Sequence, residues 1–114
     1  MIVAIPVEES GKVTTLFGPA PGFFVVDTET GERRFIKNIY ACGGCSEGCG
    51  EGKSVADLLA EEGVEALLIA GLSQSPLLKL MRRGIVVYRL PPHVKEVDEA
   101  LRLFKSGELE VIYL

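Results

Sequence analysis

A three-layer α/β/α domain with a mixed sheet is the fold class that the sequence predicts, and three observations carry it. Short apolar runs of strand length fill the chain up to Asn38. The apolar spacing changes to threes and fours after Gly52, as a helical face requires. Strand-like and helical runs then alternate, giving the order β-β-β-α-β-α-β-α. Helical crossovers from the third to the fourth strand and from the fourth to the fifth require parallel neighbours and right-handed connections.

Ile2 to Pro6 reads as a short buried strand stopped by proline. A loop through Ser10-Gly11 and Gly18-Pro19-Ala20-Pro21-Gly22 follows. Phe23 to Asp27 and Arg33 to Asn38 are strand-like runs joined by Thr28-Glu29-Thr30-Gly31, a hairpin with glycine at the left-handed position. Ala41 to Gly52 is rich in Gly and Cys, has no periodicity and reads as a loop. The first helix is expected over Ser54–Gly63, opened by Ser54 with Asp57 and closed by glycine. Ala66 to Ala70 is a continuous apolar run, as in a strand covered on both faces. The second helix is expected over Ser75–Arg83, with Ser75 as N-cap and Pro76 at the first helical position. Ile85 to Leu90 is a strand, and Val94, Val97, Leu101 and Phe104 stripe a third helix over Val94–Ser106. Leu109 to Leu114 is either a last strand or a packed extension.

The length of 114 residues suits one domain, expected to span residues 1–114. Hydrophobic residues make up 47% and charged residues 25%, a globular profile. No apolar run approaches the ~20 residues of a membrane span, and no secretory leader pattern opens the chain, so a cytoplasmic location is expected. A net charge of −4 with scattered basic residues argues against sequence-independent nucleic-acid binding. Asn38 and Gln74 are the only side-chain amides, a scarcity that fits a thermophilic source.

The chemistry-bearing segment is Cys42-Gly43-Gly44-Cys45-Ser46-Glu47-Gly48-Cys49-Gly50. Thiolates are soft ligands that favour zinc, copper(I) and iron–sulfur centres, and the glycines let three sulfurs converge. The Cys-x2-Cys-x3-Cys spacing lacks a fourth ligand. His93 is a poor candidate on the strand order that the resemblance below implies, which puts it and the cysteine loop at opposite edges of one sheet rim. A local disulfide or redox pair, and inert cysteines, are the alternatives. The run Gly48-Cys49-Gly50-Glu51-Gly52-Lys53-Ser54 resembles a phosphate loop but is one residue short, and no acidic magnesium partner is evident, so useful ATP or GTP binding is not expected. Gly71-Leu72-Ser73-Gln74-Ser75-Pro76 joins a parallel strand to a helix N-terminus, either a plain turn or a place for an anion. One histidine and scattered acids give no catalytic constellation, and clustered carboxylates of a nuclease are missing, so no enzymatic activity is expected.

Further features carry a resemblance over nearly the whole chain. They are Ile2-Val3-Ala4-Ile5-Pro6, then Phe17-Gly18-Pro19-Ala20-Pro21-Gly22-Phe23 leading into Val25-Val26-Asp27. Gly50-Glu51-Gly52-Lys53 opens the first helix, Ala70-Gly71 precedes the second, and Gly84-Ile85-Val86-Val87-Tyr88 follows it. Val97-Asp98-Glu99-Ala100-Leu101 and Ser106-Gly107-Glu108-Leu109 complete the series. In this succession of segments and turns the chain resembles the nitrogenase iron-molybdenum cofactor biosynthesis (accessory factor) family.

The resemblance implies a ribonuclease-H-like fold with sheet order 3-2-1-4-5 and the second strand antiparallel. It also implies that the protein holds or passes an iron–sulfur or molybdenum-containing cluster, with cluster donor and acceptor proteins as partners. Family members typically read His-Phe-Gly-Arg-Ala-Pro in the first loop, where this chain has Leu16-Phe17-Gly18-Pro19-Ala20-Pro21. They often carry His-Gly before the first helix, where this chain has its cysteines. A thiolate-held metal or cluster is therefore expected, with Cys42, Cys45 and Cys49 as ligands and Phe17, Gly18, Gly43, Gly44, Gly50 and Gly71 around it. Ligands of parallel sheets sit beyond the strand carboxyl ends where the chain order reverses, here between the first and fourth strands. The rival expectation is a metal-free binding or regulatory module with a redox-sensitive cysteine loop.

Overall fold

The apolar runs become strands of a single sheet in the computed structural model, which describes residues 1–38 and 55–112. In chain order the elements are β1 (Ile2–Val7), β2 (Gly22–Asp27), β3 (Arg33–Lys37), α1 (Val55–Glu61), β4 (Ala66–Ile69), α2 (Gln74–Arg82), β5 (Val86–Arg89), α3 (Val97–Ser106) and β6 (Glu110–Val111). The strand order is β3-β2-β1-β4-β5-β6. β1 pairs antiparallel with β2 and parallel with β4, and β4 pairs parallel with β5. The expected order 3-2-1-4-5 with an antiparallel second strand is therefore present. A two-residue β6, antiparallel to β5, extends it and resolves the reading of the tail.

Side chains alternate across a strand, so the sheet builds two apolar layers. Ala4, Phe23, Val25, Leu67 and Val87 face α1 and α2, where Leu59, Leu77 and Leu80 meet them. Val3, Ile5, Val26, Ala66 and Leu68 face α3, where Val97, Ala100 and Leu101 close the layer. Burying each such side chain contributes roughly 1.5–3 kcal/mol, which makes the two layers the main source of stability.

The hairpin between β2 and β3 follows its residue types. Gly31 has φ 81°, and its N–H donates to the Asp27 carbonyl at 2.8 Å. The Asp27 carboxylate accepts from the Glu29 N–H at 2.9 Å and the Thr30 N–H at 3.4 Å. The Glu29 amide, with Thr30 beside it, holds that carboxyl below the usual carboxylate range.

Helix boundaries depart from the sequence reading at α2 and α3. α1 is described from Val55, so the Ser54 cap lies outside the described residues. The N-cap of α2 is Ser73, not Ser75, and the Leu77 N–H donates to its carbonyl at 3.2 Å. Pro76 still falls in the first turn, where it removes no helical bond. α3 starts at Val97 instead of Val94, because the diproline Pro91-Pro92 leads into a turn in which the Val94 N–H donates to the Pro91 carbonyl at 3.1 Å. Val94 is buried through that turn, so it matches the stripe without being helical.

Two ion pairs brace the edge strand. Arg33 pairs with Asp98 of α3, and Arg34 pairs with Glu62 just beyond α1. Consecutive residues of a strand point to opposite faces, so the edge is tied to both helical layers. Among the described residues no helix is long and apolar enough to cross a membrane.

Candidate ligand pocket at the carboxyl rim

The parallel pair β1 and β4 ends side by side, and the chain leaves each strand in the opposite direction along the sheet. A cleft opens at such a point because neither loop crosses in front of the other strand. Here it holds a pocket of about 470 Å³. The loop after β1 contributes Thr15, Leu16, Phe17 and Gly18. The turn after β4 contributes Gly71, Leu72 and Ser73, α2 adds Ser75, Pro76 and Lys79, and α1 adds Val55 and Ala56.

The first loop is fixed from below. Phe17 stacks edge-on against fully buried Phe23, with ring centroids 5.9 Å apart. The Ala20 N–H donates to the Phe17 carbonyl at 3.2 Å, and Ala20 is buried between two prolines whose φ is preset. Asn38 closes the loop from the side, with Nδ2 donating to the Gly18 carbonyl at 3.0 Å and the Ala20 carbonyl at 2.9 Å. Its own N–H donates to the Pro21 carbonyl at 3.0 Å. At 4% exposure Asn38 is one of two buried polar residues among those described, and these bonds are the reason it is tolerated there. Leu16 projects above this base at 51% exposure, apolar on the open wall.

The described lining is apolar at its base and polar at one end. Lys79 is its one charged side chain, and Thr15, Ser73 and Ser75 supply hydroxyls. α2 begins at Gln74, so its unbonded first-turn amides lie at the same end and add partial positive charge. The described lining has no carboxylate, imidazole or thiol, and no cluster of three metal-ligating side chains occurs among the described residues.

Of the expected site residues, Phe17, Gly18 and Gly71 come together in this pocket. A Cβ at Gly18 or Gly71 would meet no atom within 4 Å, so neither glycine is demanded by packing. Cys42, Cys45, Cys49, Gly43, Gly44 and Gly50 lie outside the described residues. The residues flanking that segment both belong to the rim: Asn38 braces the first loop, and Val55 lines the pocket. His93 is exposed and follows β5, four positions along the sheet from β3, or roughly 19 Å at the usual strand spacing. Lys79 was not anticipated, although its i, i+4 spacing from Ser75 puts both on one side of α2. Val55 and Ala56 read only as the buried start of a helix.

The family model of the dinitrogenase iron-molybdenum cofactor matches residues 1–107. An uncharacterised protein of Methanocaldococcus jannaschii is 29% identical over 113 residues, covering 96% of this chain and 90% of the relative. Among solved structures, the apo form of the orange protein from Desulfovibrio gigas is 28% identical with a TM-score of 0.82, covering 97% of this chain and 92% of that one. A NifB-like protein from Thermotoga is 29% identical with a TM-score of 0.75, covering 99% and 96%.

Proposed function

The chain belongs to the dinitrogenase iron-molybdenum cofactor family, and from that membership we propose that it holds a metal or metal–sulfur cluster and passes it between a donor and an acceptor protein. The observation that carries the reading is the convergence at one rim. The pocket at the switch point is bounded by Phe17, Gly18 and Gly71, and the flanks of the cysteine segment, Asn38 and Val55, belong to that same rim.

In this reading Cys42, Cys45 and Cys49 are the ligands, and Gly43, Gly44 and Gly50 let the backbone bring the sulfurs together. The described lining offers no competing ligand. Leu16 and Pro19 stand where family members typically carry His and Arg, so thiolates take over from imidazole. A thiolate-ligated cluster carries negative charge, which Lys79 and the first-turn amides of α2 suit. The cluster is cargo. In this reading the protein acts as a carrier in the cytoplasm and not as an enzyme.

Protein purified without oxygen is the material for the test, with elemental analysis and an absorption spectrum as readouts. Metal with a thiolate charge-transfer band is expected, and each of Cys42→Ser, Cys45→Ser and Cys49→Ser should lower the metal content. Loading apo protein should release protons, since each ligating thiol leaves a free pKa of ~8.5. A triple Cys→Ser protein with unchanged metal content would overturn the assignment. Metal-free protein whose thiols reversibly form a disulfide would establish a redox module in its place.

A further inference from the structure

β3 is the terminal strand of the sheet, and among the described residues nothing pairs with its outer side. The ladder to β2 decides which backbone groups point outward. Two bonds bracket the strand: the Asp27 N–H to the Glu32 carbonyl at 2.9 Å, and the Asn38 N–H to the Pro21 carbonyl at 3.0 Å. Antiparallel ladders alternate bonded and non-bonded pairs, so Arg34 and Ile36 bond to β2. Arg33, Phe35 and Lys37 then turn their N–H and C=O groups to the open edge.

Those three residues also share one side-chain face. Arg33 meets Asp98 of α3, so the period of two puts Phe35 and Lys37 on the α3 side. Phe35 remains 48% exposed although its ring is held firmly, over Gly22 and edge-on to Phe24 with centroids 5.9 Å apart. Lys105 and Arg102 of α3, the latter paired with Glu99, stand beside the Arg33–Asp98 pair around a shallow depression of about 510 Å³. Lys37 and Lys105 have no ion-pair partner among the described residues. A cationic, aromatic, cationic row thus runs along a strand edge that no described residue pairs with, in a chain whose net charge is −4.

We propose that this edge receives an extended acidic segment of a partner protein, added as a further strand with carboxylates over Arg33 and Lys37 and an apolar side chain on Phe35. Charge selects the occupant. A second copy of this chain pairing β3 against β3 around Phe35 would set Arg33 opposite Lys37 twice, and like charges directly opposite oppose pairing. The backbone selects the class, because only a polypeptide offers N–H and C=O groups at the repeat that a strand edge presents. The surface is separate from the carboxyl-rim pocket, and the inference stands whether or not that pocket carries a cluster.

Isotopically labelled protein titrated with an acetylated peptide of the repeat Glu-Thr-Val-Thr, which sets Glu, Val and Glu in turn along one strand face, tests this, with amide chemical shifts as the readout. Saturable shifts should concentrate on β2 and β3, and affinity should fall about tenfold between ~0.05 and ~0.5 M salt. A peptide N-methylated at alternate residues should bind at least about tenfold more weakly, because the strand-adding donors are gone. Lys37→Glu, at an exposed position without an ion-pair partner among the described residues, should weaken the acidic peptide by about tenfold and favour its counterpart with Lys in place of Glu. Phe35→Thr, which keeps strand propensity, should weaken both peptides. Equal binding of the N-methylated peptide, or of a single-stranded oligonucleotide, would show a plain polyanion surface and overturn the proposal. So would silence at millimolar peptide, or self-association of the protein that Lys37→Glu changes.

Discussion

Among the described residues two helices, α1 and α2, lie over Phe23, Val25, Leu67 and Val87 on one side of the sheet, and a single helix, α3, spans the same width on the other. The first side is closed along its length and opens at the carboxyl rim, where the pocket forms. The second side is closed over β1 and β4 and runs out toward β3, leaving Phe24 part-buried and Phe35 half exposed. Neighbouring residues of β2 therefore live in different surroundings: Phe23 is sealed and Phe24 is at a margin. The difference teaches where each proposed activity sits. A cavity for a small ligand arises where two covering helices part, and a strip for a macromolecule arises where one helix is too narrow for the sheet.

The contrast breaks most visibly at those two phenylalanines. Phe23→Ala should cost about 3–5 kcal/mol in urea unfolding, since it removes a fully buried ring and the support of Phe17. Phe24→Ala should cost about half as much, because part of its ring already meets water. Equal losses would mean that the α3 side is closed in solution. Gly22→Ala comes next, at about 2–3 kcal/mol, because the new Cβ would fall on the Phe35 ring and 2.7 Å from the Ile36 carbonyl oxygen. Trimming the ring in Gly22→Ala/Phe35→Ala should recover only part of that loss, as the carbonyl cannot withdraw; full recovery would place the whole strain in the ring. Asn38→Ala should cost about 1–2 kcal/mol through the bonds to Gly18 and Ala20, and amide exchange should rise in the first loop but not on the α3 side. The smallest effect separates the two edge arginines. Arg34→Met should lose up to about 1 kcal/mol, since Arg34 also donates to the Glu62 backbone carbonyl at 3.0 Å. Arg33→Met, whose partner Asp98 is largely exposed, should lose less than about half of that.

Much of the fold was legible because it is written in local rules. Period-two and period-3.6 patterning located the strands and helices, Gly31 marked the hairpin, and helical crossovers required the parallel pairs. What escaped was decided by bonds between neighbours that the pattern does not encode. Ser73 and Ser75 are chemically alike as caps, and the Leu77 amide chooses between them. Val94 fits the helical stripe yet is buried by a diproline turn. The tail Leu109 to Leu114 was apolar enough to pack in several ways, and pairing with β5 made two of its residues a strand. The strand order that the resemblance implied pointed to the rim where the pocket lies, and Phe17, Gly18 and Gly71 line it. Lys79 could not, because a surface lysine on a helix has no distinguishing signal until another loop stands across from it.

The pocket is assembled from segments that are neighbours only when the sheet is complete: residues 15–18, 55–56 and 71–79. An unfolded chain has no such place, although it keeps the three cysteines close together, so a ligand seated in the pocket favours the native state. Mass action then converts occupancy into resistance to unfolding, up to about 2.7 kcal/mol when free ligand reaches a hundred times its dissociation constant, and less by whatever affinity the unfolded thiols retain. The melting temperature of the protein thereby becomes a gauge of how full it is. If the proposed carrier role holds, the empty protein is the easier one to unfold and degrade, and delivery of the cargo shortens the lifetime of the molecule that delivered it.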